Sequence, residues 1–207
     1  MNKLALGSVQ FGLNYGIANE IGKTKFSEVK KILTLSKELK INIVDTASSY
    51  GESEHILGET GIKKFNYVTK LPKIPIDCKD VDYWVQNIVE NSLRKLKVNC
   101  LYGLLIHRTE DLSGKFGKKL IKAIQQIKFN GLTKKIGISI YDITEIERAL
   151  DLIKLDIVQG PLNIIDRRLE LSGILSKLNN LKIEVHTRST FLQGLLLLPR
   201  NKIPNKF

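Results

Sequence analysis

The chain has 207 residues, 43% of them hydrophobic and 26% charged, with a formal net charge of +12. This is ordinary composition for a folded domain with a sizeable core, and no apolar run approaches the ~20 residues that a membrane helix needs. The lysines are scattered at helical spacing among apolar residues and are not interleaved with aromatics, so the charge describes solvated helix faces and not a nucleic-acid groove.

The opening MNKLALGSVQFG carries too short an apolar stretch for a signal peptide, which points to a mature, cytoplasmic protein. Residues 4–6 read as the first strand. GIANEIGKT (16–24) ends like a phosphate-binding loop, but it has one residue too many before Gly22-Lys23-Thr24 and follows no buried strand, so it reads as a turn. The segment 27–40 is predicted to be a helix N-capped by Ser27, with Val29, Ile32, Leu33 and Leu39 on one buried face. Further strands are predicted at 41–44, 67–69, 101–106, 136–138, 157–158 and 183–185, and further helices at 81–97, 118–131, 142–154 and 169–180. Asp142 followed by Glu145 has the form of a capping box, and Gly131 marks a helix end.

Apolar strands alternating with amphipathic helices imply a parallel sheet covered by helices. The regular succession, without a domain linker or a dinucleotide-binding glycine fingerprint, favours an α/β fold of the TIM (β/α)8 type over a Rossmann sheet. The sequence stops after the seventh strand, so the expectation is a single domain over residues 1–207 that forms an incomplete barrel of about seven of the eight β/α units. Its first and seventh strands would then present unpaired edges, open to self-association. Cys78 and Cys100 follow no metal-ligand spacing, and no metal is expected.

In such barrels the chemistry lies at the carboxyl ends of the strands. Asp45 closes the second predicted strand, Lys70 the third, His107 the fourth, Ser139 the fifth and Gln159 the sixth, while His186 through Ser189, including Arg188, close the seventh. Tyr50 follows Asp45 by one short turn. A phenol titrates near ~10, and bringing it to neutrality takes about 4 kcal/mol of preference for the phenolate. One ammonium ~4 Å away supplies about that much at an effective dielectric of ~20. Lys70 is the candidate ammonium, Asp45 the group that keeps it charged, and His107 a neutral donor that positions a carbonyl. Tyr50 then delivers a proton to a carbonyl oxygen. None of these side chains donates hydride, so a reduction requires a nicotinamide cofactor. A Schiff-base role for Lys70 is the alternative chemistry.

These residues resemble the aldo-keto reductase family. DTASSYGESE (45–54) is similar to the family's DTAxxYGxSE, and the resemblance carries its Asp, Tyr, Lys and His tetrad onto Asp45, Tyr50, Lys70 and His107. LALGSVQFG resembles the first strand and turn of the family, with Ser8 at the position that usually touches the nicotinamide ribose. KKIGIS resembles RxIGxS and VQGPLNIIDRR resembles VQxxYNxxxR, which places Ser139 and Gln159 on the nicotinamide carboxamide. Three positions depart from the pattern. Ile140 stands for an asparagine, Leu162 for a tyrosine, and Arg188 for the tyrosine that commonly stacks on the nicotinamide, a role a guanidinium can also take. The resemblance implies NADPH-dependent reduction of an aldehyde or ketone, with NADP(H) as cofactor and a small carbonyl compound as partner. The alternative is a truncated, inactive barrel that acts as a binding or regulatory module.

Overall fold

A computed structural model describes residues 3–62 and 64–204. The elements run β1 (Ala5–Gly7), α1 (Val9–Gly12), α2 (Phe26–Glu38), β2 (Ile43–Asp45), α3 (Ser53–Glu59), β3 (Asn66–Leu71), α4 (Val81–Leu96) and β4 (Leu101–Ile106). They continue with α5 (Glu110–Ser113), α6 (Gly117–Phe129), β5 (Thr133–Ser139), α7 (Thr144–Leu152), β6 (Ile157–Pro161), α8 (Arg168–Leu171), α9 (Ile174–Asn180) and β7 (Glu184–Arg188). Two short 3-10 segments follow, Leu192–Leu197 and Arg200–Lys202.

The strands form one parallel sheet in sequence order, β1 to β7, as expected of successive right-handed β/α units. β1 and β7 are the two ends of the sheet, so the architecture is an open, incomplete (β/α) barrel. Leu104 and Ile106 turn outward into the core shared with the helices, where Leu33, Val85, Val89, Ile124, Ile138, Ile146 and Leu178 are buried. Val68, Leu105 and Ile157 instead pack with one another as a separate small cluster. Burial on both faces is why the strands read as continuous apolar runs and not as alternation.

The helix ends follow local chemistry, with some departures from expectation. Asp80 accepts the Tyr83 amide at 3.0 Å and starts α4, which stops at Lys97 in the left-handed conformation. Before α7, Glu145 Oε1 accepts the amides of Tyr141 and Asp142 at 2.9 and 2.7 Å, and Asp142 Oδ1 accepts that of Thr144 at 3.0 Å. Those bonds make the capping box. Ser27 is not a cap: α2 begins at Phe26, one residue before it, and Leu39, expected on the buried face, lies past the helix end and is exposed. The single helix expected over 169–180 is two, because Gly173 adopts φ +75° between α8 and α9. The 16–24 segment is a turn organised by Asn19, whose Oδ1 accepts the amides of Ile21 and Gly22 at 3.0 Å each, so its donors are spent locally.

Among the described residues no helix is long and apolar enough to cross a membrane, and no group of three or more His, Cys, Asp or Glu side chains is placed to hold a metal ion. Cys78 and Cys100 are free thiols.

Candidate active site

Asp45 is the last residue of β2, Lys70 the penultimate residue of β3, and His107 the residue just past β4. The parallel register of β2 to β4 therefore brings them to the same end of the sheet. Lys70 is 1% exposed and gives its ammonium hydrogens to Asp45 Oδ1 at 2.7 Å, Asp45 Oδ2 at 2.8 Å and the Thr46 carbonyl at 2.7 Å. Such a buried charge is tolerable only with a close counter-ion and every donor satisfied. Burial pushes the Lys70 ammonium down from its ordinary pKa, and the Asp45 carboxylate works against that.

Tyr50 enters the site on a tight turn. Its amide donates to the Ala47 carbonyl at 3.0 Å, and Gly51 at φ +57° carries the chain on to α3. This turn lies directly against the end of α1. A Cβ on Gly12 would stand 1.8 Å from the Tyr50 carbonyl oxygen, and one on Gly51 would stand 2.7 Å from the Gly12 carbonyl oxygen. Two glycines thus let two backbone segments touch where side chains would hold them apart.

The Tyr50 ring lies 5.1 Å from Lys70 Nζ and 6.2 Å from the His107 ring, edge-on at 78°. The tetrad expected from the sequence is therefore assembled, but the expected electrostatics are not. The Tyr50 phenol is pushed above its ordinary 10, first by burial and then by the Asp45 carboxylate, with Arg188 pulling the other way. Lys70 does not acidify it, because the ammonium is neutralised by Asp45 and has no hydrogen left for the phenol. His107 is pushed down from 6.5 to about 4, by burial first and then by the Lys70 and Arg108 charges, so it is a neutral imidazole at physiological pH.

The other half of the DTASSYGESE motif braces this assembly. Ser53 is fully buried, with Oγ 2.8 Å from Ser8 Oγ and 3.2 Å from Thr46 Oγ1, and Ser8 Oγ donates to the Asp45 carbonyl at 2.9 Å. Thr69 Oγ1 donates to Glu54 Oε1 at 2.6 Å, and both residues are buried. The sequence reading did not single out Ser53, Glu54 or Thr69 as site residues, and the polar residues closing the motif were the signal for the first two. Ser8, expected to face a ribose, is 0% exposed and its hydroxyl is committed to β2.

Ser139, Gln159 and Arg188 come from β5, β6 and β7, and the sixth strand continues two residues past Gln159 to Pro161. Ser139 Oγ donates to Gln159 Oε1 at 3.4 Å, and Gln159 Nε2 donates to Asp45 Oδ1 at 2.7 Å, across the inside of the barrel. Arg188 reaches back over β6, donating to the Ile140 carbonyl at 2.8 Å with its guanidinium carbon 4.2 Å from the centre of the Tyr141 ring. Tyr141 also escaped the sequence reading, which stopped at Ile140.

A second polar cluster joins β4, β5 and β7. Lys135 Nζ donates to Tyr102 Oη and to Glu184 Oε1, each at 2.8 Å, and Tyr102 Oη donates to Glu184 Oε1 at 2.7 Å. A cavity of about 610 Å³ beside β7, lined by Leu162, Ile164, Thr187, Thr190, Phe191 and Leu197 among others, includes none of the tetrad. The titratable groups of the candidate site converge instead at the strand ends.

Comparison with known proteins agrees with this geometry. Residues 3–207 match the sequence model of the Aldo/keto reductase family. The methylglyoxal reductase DkgB of Salmonella typhimurium is 30% identical over 142 residues, which is 67% of this chain and 50% of that protein, so the chain spans about half the length of the curated relatives it matches. The structure superposes on an aldo-keto reductase of Bacillus halodurans in its holo form with a TM-score of 0.76 at 22% identity, covering 98% of this chain and 66% of that one. An aldo-keto reductase of Bombyx mori in complex with NADP gives 0.69 at 23% identity, covering 97% and 68%. The fold, the strand-end tetrad and the match over nearly the whole sequence agree, and the chain belongs to the aldo/keto reductase family.

Proposed function

We propose that this chain reduces an aldehyde or ketone to the alcohol with NADP(H), with Tyr50 as general acid and residues 1–207 acting as one barrel domain. The reading is carried by the placing of the Tyr50 phenol between a buried ammonium and a neutral imidazole. It is also favoured by the matched relative named as a methylglyoxal reductase and by the superposed structure that holds NADP.

Ser139 and Gln159 suit a nicotinamide carboxamide. Both are buried, and the Ser139 hydroxyl and the Gln159 carbonyl oxygen lie side by side as acceptors for amide hydrogens. Bound there, the reduced nicotinamide supplies the hydride. Arg188 would lie beside it; Ser8, sealed under the Tyr50 turn, would not.

The chain's own residues do the rest. His107, uncharged, donates a hydrogen bond that orients the substrate carbonyl. Tyr50 holds its proton at any physiological pH because burial raises its pKa, so it is always competent to protonate a carbonyl oxygen as negative charge grows there. The phenolate left behind recovers its proton from solvent; Lys70, 5.1 Å from the ring centre and bonded to the Thr46 carbonyl, fixes the strand end that carries the tyrosine turn. Asp45 keeps Lys70 charged and fixed.

The test is oxidation of NADPH by the purified chain with a reactive aromatic aldehyde, followed by absorbance. Tyr50→Phe should lower the rate by about 10²- to 10⁴-fold while leaving NADPH binding in place. An unchanged rate in Tyr50→Phe removes the mechanism. One observation favours a second reading, a barrel that binds without turnover: β1 and β7 are separate ends of the sheet. Fluorescence titration showing tight NADPH binding with no oxidation would select it.

A further inference from the structure

We propose that Arg188 anchors an anionic group on the ligand, and that the carbonyl substrate taken here carries a carboxylate. The substrate half of this assignment rests on the reductase reading above.

Arg188 ends β7 and is half-buried. One of its terminal nitrogens donates to the Ile140 carbonyl at 2.8 Å, the other lies 3.3 Å from Ser189 Oγ, and Tyr141 covers one face of the guanidinium at 4.2 Å. These contacts fix the cation in place, and none neutralises it: among the described residues no carboxylate pairs with Arg188. Several other cations of the molecule are paired. Lys70 is paired with Asp45, Lys135 with Glu184, Arg167 with Glu170 and Arg168 with Asp166.

A guanidinium carries five N–H donors. Two have acceptors here, one on each terminal nitrogen. Nε has no acceptor and is not among the sealed, unpartnered atoms of the described residues, so the edge that carries it is open to a ligand. A rigid planar cation with a free donor edge is the geometry that takes a carboxylate through two parallel hydrogen bonds. Stacking on a ring would leave those donors idle. Arg188 ends β7 in register with Pro161, at the same end of the parallel sheet as Asp45, Lys70 and His107. An anion held there lies at the reacting end of the barrel, and the Asp166 carboxylate also feels the Arg188 charge. A cofactor phosphate has similar chemistry, and the experiment separates the two sources.

The experiment is calorimetric titration of the chain with 4-carboxybenzaldehyde and with benzaldehyde, each with and without saturating NADP⁺, and a parallel titration with NADPH. The intact chain should prefer the carboxylated probe. In the absence of NADP⁺, Arg188→Met should weaken that probe roughly 10- to 100-fold, the loss expected for a hydrogen-bonded charge, with far less effect on benzaldehyde. Arg188→Lys, which keeps the charge and removes the fork, should recover only part of the affinity. Should Arg188→Met fail to fold by circular dichroism, Arg188→Lys decides, and full affinity in it overturns the proposal. So does equal binding of the two aldehydes by the intact chain, or a loss confined to NADPH, which would assign Arg188 to the phosphate. NADPH oxidation is scored separately. Carboxylate preference without turnover keeps Arg188 as an anion anchor and removes the reductase reading, whereas turnover without preference does the reverse.

Discussion

Gln159 and Asp45 are 114 positions apart and on strands that are not neighbours, yet Gln159 Nε2 donates to Asp45 Oδ1 at 2.7 Å. The same oxygen accepts from Lys70 at 2.7 Å, so one carboxylate atom ties β2 to both β3 and β6. The curl of the sheet makes this possible, and the bond in turn holds opposite sides of the open barrel at a fixed separation. Gln159→Leu removes the bond without adding charge and should cost about 1–2 kcal/mol in urea unfolding. Gln159→Glu sets a carboxyl against Asp45 and should cost more, increasingly so as pH rises above the carboxylate range. Equal stability of both variants with the parent chain would show that the cross-barrel bond contributes nothing.

Lys70 is a fully buried charge and costly to orphan. Lys70→Met leaves Asp45 without its ammonium and the Thr46 carbonyl without a donor, for an expected loss of about 3–5 kcal/mol. Adding Asp45→Asn should restore part of that, since the stranded charge is then gone. Chemical denaturation of the two single variants and the double variant measures the coupling directly.

His107 makes stability depend on pH. The imidazole titrates at 6.5 when unfolded and at about 4 when folded, so between those values the unfolded chain binds the extra proton. Stability is therefore full above pH 6.5 and falls as the pH drops toward 4. The loss should be about 1–2 kcal/mol once solvent screening of this partly exposed ring is allowed for. His107→Gln should flatten that slope in denaturation curves taken across the range. Reductase turnover should have its acid limb near pH 4, where the folded His107 takes up its proton, while the raised Tyr50 pKa removes any alkaline limb near neutrality.

Gly12→Ala should disable the site from outside the tetrad. The added methyl would lie 1.8 Å from the Tyr50 carbonyl and 2.5 Å from the Ser53 amide, both backbone atoms that cannot step aside alone. Overpacking of this kind costs about 1–3 kcal/mol, and here the strain is relieved by moving the tyrosine turn. The expected result is a folded chain, by circular dichroism, whose NADPH oxidation falls by more than tenfold. Wild-type turnover in Gly12→Ala would mean that the turn tolerates displacement.

Much of this architecture is legible along the chain. Each apolar run that stops at a polar residue marks a strand end, which is how Asp45, Lys70, His107 and Ser139 declare themselves. The positions that stay hidden depend on the third dimension. Burial of Ser8 beneath Ser53 and the 114-residue reach of Gln159 have no local signature. Gly173 splits a helix because the chain needs a left-handed residue there, although the apolar spacing runs on without interruption. The direction of the Tyr50 pKa was missed for a more general reason. A lysine near a tyrosine acidifies it only if its charge is unspent, and Asp45 spends it.

The contact between Gly12 and Gly51 also bears on how this protein can be varied. Neither position accepts a side chain unless the opposite segment retreats, so residues 8–13 and 50–53 form one design unit split between two stretches of sequence. Randomising the tyrosine turn against a fixed N-terminal segment will yield few working chains. A library that samples both stretches together explores the shapes the mouth can adopt.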